Sequence, residues 1–237
     1  MKRAFERPAL ATAVRDYVKD FIIEQNLQPG DPLPPETQLA GDLGVGRSSV
    51  REAVKALQSL GIVEVRHGTG LFVRENNFDP VKEILGYGVR ANSTGLSQLT
   101  ELRILLERAA IEDAVPAISR EQIDDLKAIM IQWEKRVRLN QPHEDLDESF
   151  HRILYGSLGN DMLLEMLHQF WTVFDSYDDP VLHKDKPADE ELRQHREILS
   201  AVEQRDAPLA RQRLLDHFAH LQERVKIVAG IREKGEG

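Results

Sequence analysis

The chain has 237 residues, no cysteine and a formal net charge of −9 at pH 7. The absence of cysteine excludes disulfides and thiolate metal sites, and it favours a reducing cytoplasm. No apolar run approaches the length needed to cross a bilayer, and the mixed charges of residues 1–15 are unlike those of a signal peptide. We therefore expect a cytoplasmic protein of one large or two modest domains, with no membrane partner.

Acidic and basic residues are unevenly distributed along the chain. The overall acidity argues weakly against nucleic acid, but bases outnumber acids between residues 47 and 74. The bases there are Arg47, Arg51, Lys55, Arg66 and Arg74, and the acids are Glu52 and Glu64. Because screening limits repulsion to about 8–10 Å at physiological salt, a locally basic surface on an acidic protein can hold phosphates.

The first part of the chain alternates helical patterns with breakers. Helices are predicted at 10–25, 36–43 and 47–60, and two β-type runs at 62–66 and 71–73. The proline-rich segment 28–35 ends the first helix, and Gly44 makes a tight turn between the next two. A short helix, a glycine turn, a second helix and a hairpin predict a winged helix-turn-helix at residues 8–74, with three helices and a β-hairpin.

Helical patterns alone fill the rest of the chain. They lie at 81–91, 96–115, 120–140, 143–157, 161–177, 188–204 and 207–229. We expect a linker at 75–80, an all-α bundle of six or seven helices at 81–229 and a disordered tail at 230–237. The fold class predicted for the whole chain is therefore mainly α.

The stretch Met162 to Phe174 is apolar nearly all round. Such a helix is buried on most sides, so it forms either the centre of the bundle or a dimer interface, and we favour the centre. Dimerisation is expected in either case, because helix-turn-helix proteins read the paired half-sites of palindromic operators.

The second helix of a helix-turn-helix lies in the major groove, so its outer face is the candidate DNA-reading surface. That face carries Arg47, Arg51 and Lys55, about one turn apart. An arginine can donate two hydrogen bonds to guanine, a contact that discriminates bases by about 1–3 kcal/mol. The alternative is a solvated basic face on an unrelated small domain.

Further contacts are predicted at the helix start and in the wing. Ser48 and Ser49 can cap the helix or bind phosphate, and Ser49 with Glu52 has the spacing of a capping box. In the wing, Gly68 allows close approach of the backbone to DNA, and Arg66 or His67 can reach the minor groove.

A second group of candidate site residues contains three histidines. Asp147 and His151 are spaced to share one helix face, and His195 and His217 lie on later helices. Three imidazoles and one carboxylate suit a borderline divalent metal such as zinc, nickel or manganese. From spacing alone, a surface Asp–His pair without a metal is the more frequent outcome. A metal-dependent hydrolase using these residues is the enzyme alternative, although no general base is marked for it.

The DNA-binding half closely resembles the GntR family of bacterial regulators. The resemblance rests on GVGRSSVREAVKAL at 44–57 and GIVEVRHGTGLFV at 61–73. It implies that Arg47 and Arg51 read bases and that His67 and Gly68 work in the wing. The family usually has LPSERELA where this chain has LPPETQLA at 33–40. Thr37 thus replaces a DNA-contacting arginine and Pro35 replaces a serine cap, which puts one contact per subunit in doubt.

The remaining half is similar to the FCD ligand-binding domain of the FadR-like subfamily. The matching segments are LRILLE at 102–107, DESFH at 147–151, LGN at 158–160, HREILSA at 195–201 and LLDH at 214–217. The resemblance implies that Asp147, His151, His195 and His217 bind a metal, and that Arg103 faces an effector cavity.

A buried arginine suits bidentate capture of a carboxylate, and members of the subfamily commonly sense organic acids such as sugar acids or lactate. An ion pair of Arg103 with Glu107 is the structural alternative. The function expected is a repressor whose operator binding is modulated by a small organic acid, and a purely architectural DNA binder without effector is a third reading.

Overall fold

The computed structural model describes residues 7–75, 78–176, 188–228 and 230. The chain forms two compact units, Met1–Val81 and Lys82–Gly237, called here the N-terminal and the C-terminal unit. Residues 76–77 of the predicted linker, residues 231–237 of the predicted tail, and His183 lie outside the described residues.

The N-terminal unit has three helices and a small antiparallel sheet. Its elements in chain order are α1 (Arg7–Glu24), β1 (Pro32–Leu33), α2 (Glu36–Leu43), α3 (Arg47–Ser59), β2 (Val63–Arg66) and β3 (Gly70–Val73). The hairpin pairs Val63 with Val73 and Arg66 with Gly70. The predicted winged helix-turn-helix architecture is confirmed.

The sheet has one strand more than the sequence predicted. Strand order is β1-β3-β2, and Leu33 of β1 pairs with Leu71 of β3. Only two residues form β1, which lies in the segment interpreted as a breaker. The backbone N–H of Gly30 and the carbonyl of Asp31 also bond to Val73, so the proline-rich segment closes the edge of the wing.

The core of this unit explains why α2 and α3 meet at a fixed angle. Gly44 ends α2 with a φ of 61°, a left-handed conformation that glycine adopts without strain. The turn places the apolar faces of the helices against one buried cluster, which includes Val14, Val18, Leu39, Val54 and Leu57.

The C-terminal unit is all-helical over its described residues. Its helices are α4 (Asp79–Ala91, which begins in the N-terminal unit), α5 (Gly95–Ala117), α6 (Arg120–Arg138), α7 (Glu144–Gly156), α8 (Asp161–Asp175), α9 (Ala188–Glu203) and α10 (Ala207–Val228). The seven predicted helices are thus present. Helix α5 runs through Pro116, where the sequence predicted a break, and ends one residue later.

Large apolar side chains fill this bundle. Trp133, Phe150, Tyr155, Phe170 and Phe218 are fully buried in one contiguous core. Helix α8 contributes Leu167, Phe170, Trp171 and Val173 to it, as the interpretation of this helix as a central one expects, although Met162 in its first turn is exposed. None of the described helices is both long and apolar enough to span a membrane.

Candidate nucleic-acid interface and metal centre

Helix α3 presents a basic face to solvent and an apolar face to the core. Arg47, Ser48, Arg51 and Lys55 are exposed. The opposite face is buried and holds Val50, Ala53, Val54 and Leu57. This division follows from the helical spacing of the apolar residues. The first half of α3 therefore carries the exposed cations that a reader of the major groove needs.

The predicted capping box at the start of α3 is wrong. Helix α3 has Gly46 as its N-cap residue, and no side chain caps it. Ser49 consequently lies inside the first turn, is 4% exposed, and its backbone N–H donates to the Gly46 carbonyl over 3.0 Å. Ser49 is buried, so the contact with a phosphate that the sequence predicted for it is not possible in this structure. Ser48 is exposed.

Arg51 forms a weak, exposed ion pair with Glu36 of α2. Its Nε lies 3.4 Å from Glu36 Oε2, and its side chain remains 68% exposed. Thr37, next to Glu36, is also exposed. An exposed ion pair contributes only about 0–1 kcal/mol, so Arg51 can exchange Glu36 for a base edge at little cost.

The turn of the wing is exposed, and the arginine before it is exposed but paired within the sheet. His67 and Gly68 are exposed in the turn between β2 and β3, and Gly68 has a φ of 74°. Arg66 is engaged on its own sheet, because its Nε donates to Glu64 over 2.6 Å and its guanidinium lies 4.3 Å from the centre of the Phe72 ring. A contact of Arg66 with DNA would have to replace these partners.

The four predicted metal ligands come together in the C-terminal unit. Asp147 and His151 lie one turn apart on α7, His195 lies on α9 and His217 on α10. Their ligand atoms all lie within 4.8 Å of one another. Asp147 Oδ1 is 2.9 Å from His195 Nε2 and 3.6 Å from His151 Nε2. Ligand atoms at about 2.1 Å from one metal ion stand on the order of 3 Å apart, so this spacing fits a shared ion.

The chemistry of the donor atoms fits a cation as well. Within the described part of the chain, Asp147 Oδ1, His151 Nε2 and His195 Nε2 are buried and have no hydrogen-bond partner. Leaving such an atom unsatisfied costs about 1–3 kcal/mol. A single divalent metal ion would satisfy all of them together, so the residues present fit the group that the family resemblance implies.

Neighbouring acceptors fix the orientation of two of the imidazole rings. His151 Nδ1 lies 2.5 Å from Glu107 Oε2, and His195 Nδ1 lies 2.9 Å from the carbonyl oxygen of Glu191. Because Nδ1–H of each ring donates to one of these acceptors, Nε2 of both neutral rings keeps its lone pair, as a metal ligand must. Glu107 is not among the residues that the sequence predicted for the metal site.

Charges near the centre keep its carboxyl groups ionised. Burial raises the pKa of Glu107, but His151 and Arg103 outweigh it and leave this pKa below the ordinary 4.5. Burial likewise raises the pKa of Asp147, and His195, His151 and Arg103 together hold it well below 3.8. Both carboxyl groups are therefore ionised at neutral pH, and Arg103 neutralises only one of the two charges, so the site still favours a cation.

Arg103 lies against this centre on α5 and is 4% exposed. Its Nε donates to Glu107 Oε1 over 2.7 Å, so the predicted ion pair is present. The guanidinium also stacks on aromatic rings, 4.0 Å from the centre of Trp171 and 5.1 Å from that of Phe218. The ion pair engages one edge of the guanidinium, and the arginine still lines a cavity.

The cavity beside the metal centre has a volume of about 160 Å³. Its lining includes residues for which the sequence predicted no site role, among them Trp171, His143, Glu144 and Glu191. Trp171 Nε1 donates to Asp147 Oδ2 over 2.8 Å, and His143 Nε2 lies 3.3 Å from Glu191 Oε2. No short motif marks these residues, because the fold brings them together from three separate segments.

Two protein-family models match the chain. The model described as bacterial regulatory proteins, gntR family, matches residues 10–73. The model of the FCD domain matches residues 98–220, which is more than half of the chain. The first match includes the exposed face of α3 and the wing, and the second includes all four candidate metal ligands.

The chain is also similar to named regulators. It is 30% identical over 237 residues to the Uxu operon transcriptional regulator of Escherichia coli (strain K12), covering 95% of this chain and 90% of that protein. It is 27% identical to the HTH-type transcriptional repressor NanR of Escherichia coli (strain K12 / DH10B), covering 91% and 84% of the two chains. Among solved structures, Streptococcus agalactiae GntR superposes with a TM-score of 0.65 at 27% identity, covering 90% of this chain and 99% of that one.

These relatives are regulators of transcription and not enzymes, which overturns the hydrolase alternative. The exposed cations of α3, the wing beside them and the histidine cluster lie in segments that the two family models match. The chain therefore belongs to the GntR family of bacterial regulatory proteins, carries an FCD domain, and is a DNA-binding transcriptional regulator.

Proposed function

We propose that the protein is a homodimeric repressor that binds a palindromic operator and responds to a small carboxylate held beside a divalent metal ion. The observation that carries this proposal is the cluster of four candidate metal-ligating side chains, two of which line one cavity together with a buried arginine. We assign DNA binding to residues 8–74 and metal and effector binding to residues 81–229.

In the DNA-binding half, Arg47 and Arg51 are the proposed base-reading residues, because both are exposed on the first half of α3. Ser48 and Lys55 are the proposed phosphate contacts, together with Thr37 at the start of α2. His67 and Gly68, exposed in the turn of the wing, are the proposed minor-groove contacts, and Arg66 is a third if it exchanges Glu64 for DNA. Two such units per dimer would read two half-sites.

In the sensing half, Asp147, His151, His195 and His217 would hold the metal. The donor set favours zinc, with nickel and manganese as the other candidates. The metal ion would supply a Lewis-acidic position for one carboxylate oxygen of the effector. Arg103 would bind the same carboxylate, because its guanidinium lies in the wall of the cavity next to Asp147.

Relatives support the repressor assignment. NanR is named a transcriptional repressor, and the Uxu regulator is named for an operon. An effector that prefers the conformation with low DNA affinity shifts the population toward release, and a difference of a few kcal/mol suffices.

The test uses DNA enriched by the wild-type protein from the genome of its own host. Operator affinity is measured by fluorescence anisotropy with zinc-loaded protein, with and without a panel of organic acids. We expect at least one acid to release the wild-type protein and to leave the His195→Ala variant bound. Release of both proteins at the same concentration, or no response to any acid, would contradict the proposal.

A further inference from the structure

The two carboxylate oxygens of Asp147 have different surroundings. Oδ1 lies 2.9 Å from His195 Nε2 and 3.6 Å from His151 Nε2. Among the described residues, Oδ1 has no hydrogen-bond partner. Oδ2 accepts a hydrogen bond from Trp171 Nε1 over 2.8 Å. One oxygen is therefore available to a metal ion beside the imidazoles, and the other is already engaged.

Trp171 is held firmly in the position that makes this bond. It lies on α8 and is 7% exposed, and the guanidinium of Arg103 stacks on its ring at 4.0 Å. An indole N–H donates and cannot accept, so it needs an acceptor such as Asp147 Oδ2. Breaking the bond would leave a buried donor and a buried acceptor unsatisfied, which is costly.

Arg103 acts on the same oxygen of Asp147. Its Nη2 lies 3.9 Å from Asp147 Oδ2, too far for a hydrogen bond but near enough for attraction between the charges. Arg103 is itself fixed by its ion pair with Glu107 over 2.7 Å. Trp171 and Arg103 together therefore favour the orientation of Asp147 in which Oδ1 is the oxygen nearest the imidazoles.

The other tryptophan of the chain provides a comparison. Trp133 on α6 is fully buried, and the centre of its ring lies 4.3 Å from that of His195. The ring of Trp171 lies 5.5 Å from that of His151. Trp133 Nε1 donates no hydrogen bond to any described residue. Both tryptophans thus lie beside a predicted metal ligand, and of the two, Trp171 is the one that bonds to a ligand.

The number of oxygens that Asp147 offers affects which metal ion fits. This step rests on the proposed function, because it assumes a divalent ion bound by Asp147 and the three histidines. With one oxygen from Asp147 the protein supplies four donor atoms, three of them imidazole nitrogens, a set typical of zinc. A second oxygen would add a fifth donor atom and make the site richer in oxygen, which suits manganese better.

We propose that Trp171 is a positioning residue that restricts Asp147 to one metal-binding oxygen and so strengthens the preference of the site for zinc over manganese. Trp171 acts through Asp147 and does not bind the ion itself. Loss of its N–H frees Oδ2 to serve as a second donor atom. The ratio of zinc affinity to manganese affinity therefore reports the hydrogen bond, whereas a general loosening of the site lowers both affinities together.

The test compares two tryptophan variants of the full chain. Competition with metal-responsive chelating dyes gives the zinc and manganese dissociation constants of wild type, Trp171→Phe and Trp133→Phe. We expect Trp171→Phe to lower zinc affinity by about 10–100-fold and manganese affinity by much less, so that their ratio falls. Trp133→Phe is the matched control, because it removes the same part of an indole without removing a bond to a ligand, and it should keep the wild-type ratio. An unchanged ratio in Trp171→Phe, or an equal fall in Trp133→Phe, would overturn the proposal.

A crystal structure of the zinc-loaded wild-type protein tests the same point without a variant. It should place one oxygen of Asp147 at about 2.0–2.2 Å from the ion, with Oδ2 still bonded to Trp171 Nε1. Two Asp147 oxygens at bonding distance from zinc, or a broken bond to Trp171, would contradict the role of Trp171.

The outcomes also separate this proposal from the proposed function. Zinc binding by wild type with an unchanged affinity ratio in Trp171→Phe rejects only the role of Trp171. Failure of wild type to bind zinc or manganese would count against both proposals.

Discussion

Glu107 Oε2 lies 2.5 Å from His151 Nδ1, and the other oxygen of the same carboxylate accepts from Arg103 Nε over 2.7 Å. One fully buried side chain therefore touches a proposed metal ligand and the proposed effector arginine. Glu107 thus orients both groups, as carboxylates behind metal-bound histidines do.

Replacing Glu107 should weaken metal binding. Glu107→Gln keeps the shape of the side chain but removes the charge that holds His151, and we expect zinc affinity to fall by about 10–100-fold. Competition with a chromogenic chelator measures this affinity. The control is Glu112→Gln on the same helix, where the exposed Glu112 pairs with Arg211 over 3.0 Å. Equal affinities of both variants would refute the role assigned to Glu107.

Removing a proposed ligand should remove the metal itself. We expect His195→Ala to reduce the zinc content from about one ion per chain to near zero after dialysis, because a site that loses one ligand of four binds weakly. Elemental analysis gives the content. His220→Ala, which changes an exposed histidine on α10, should keep its zinc. Full zinc content in His195→Ala would show that the ion is held elsewhere.

The pair formed by His143 and Glu191 should make stability depend on pH. Glu191, with smaller contributions from the Gln141 carbonyl and Glu144, raises the pKa of His143 above the ordinary 6.5, against the effect of burial. A raised folded-state pKa means that the stabilisation is present below pH 6.5 and is lost as the pH rises through the folded-state pKa.

We therefore expect the melting temperature of wild type to exceed that of His143→Gln in acid and to approach it in alkali. Scanning calorimetry of both proteins, loaded with zinc, from about pH 5.5 to pH 8.5 measures the difference. A difference that is constant over this range, or that grows with pH, would contradict the assignment.

The start of α6 provides a stability prediction. Ser119 Oγ accepts from the Gln122 backbone N–H over 3.1 Å, and Gln122 Oε1 accepts from the Ser119 N–H over 2.9 Å. Ser119→Ala should lower the free energy of unfolding by about 0.5–2 kcal/mol in urea. Gln132→Ala, at an exposed position in the middle of α6, should lower it by much less; a similar loss in both would argue against the cap.

Most of the fold was predictable because its signals are local. Apolar residues recur at helical spacing in nearly every segment, and Gly44 and Gly68 mark turns where a positive φ is needed. Strand β1 was missed because two residues, Pro32 and Leu33, are too few to show alternation. The break expected at Pro116 did not occur, since a proline disturbs the turn before it and α5 ends one residue later.

The site was only partly predictable, for a different reason. Asp147 and His151 share a face because of their spacing, which a sequence shows directly. Placing His195 beside them required the family resemblance. Glu107 reaches His151 across 44 positions of sequence, and Trp171 reaches Asp147 across 24, and no spacing rule connects residues so far apart. Ser49 was misassigned because its position relative to the start of α3 decides whether it caps or packs.

Reading of duplex DNA by the exposed cations of α3 is the interaction on which the proposed function depends. Its most direct test is selection of bound sequences from a random DNA pool by wild type, by Arg51→Ala, and by Arg15→Ala, a control on α1 where Arg15 pairs with Asp16. We predict that wild type and Arg15→Ala enrich the same inverted repeat. Arg51→Ala should lose the preference at one base pair in each half-site, worth about 1–3 kcal/mol. Enrichment of an identical sequence by Arg51→Ala, or of no sequence by wild type, would contradict the account.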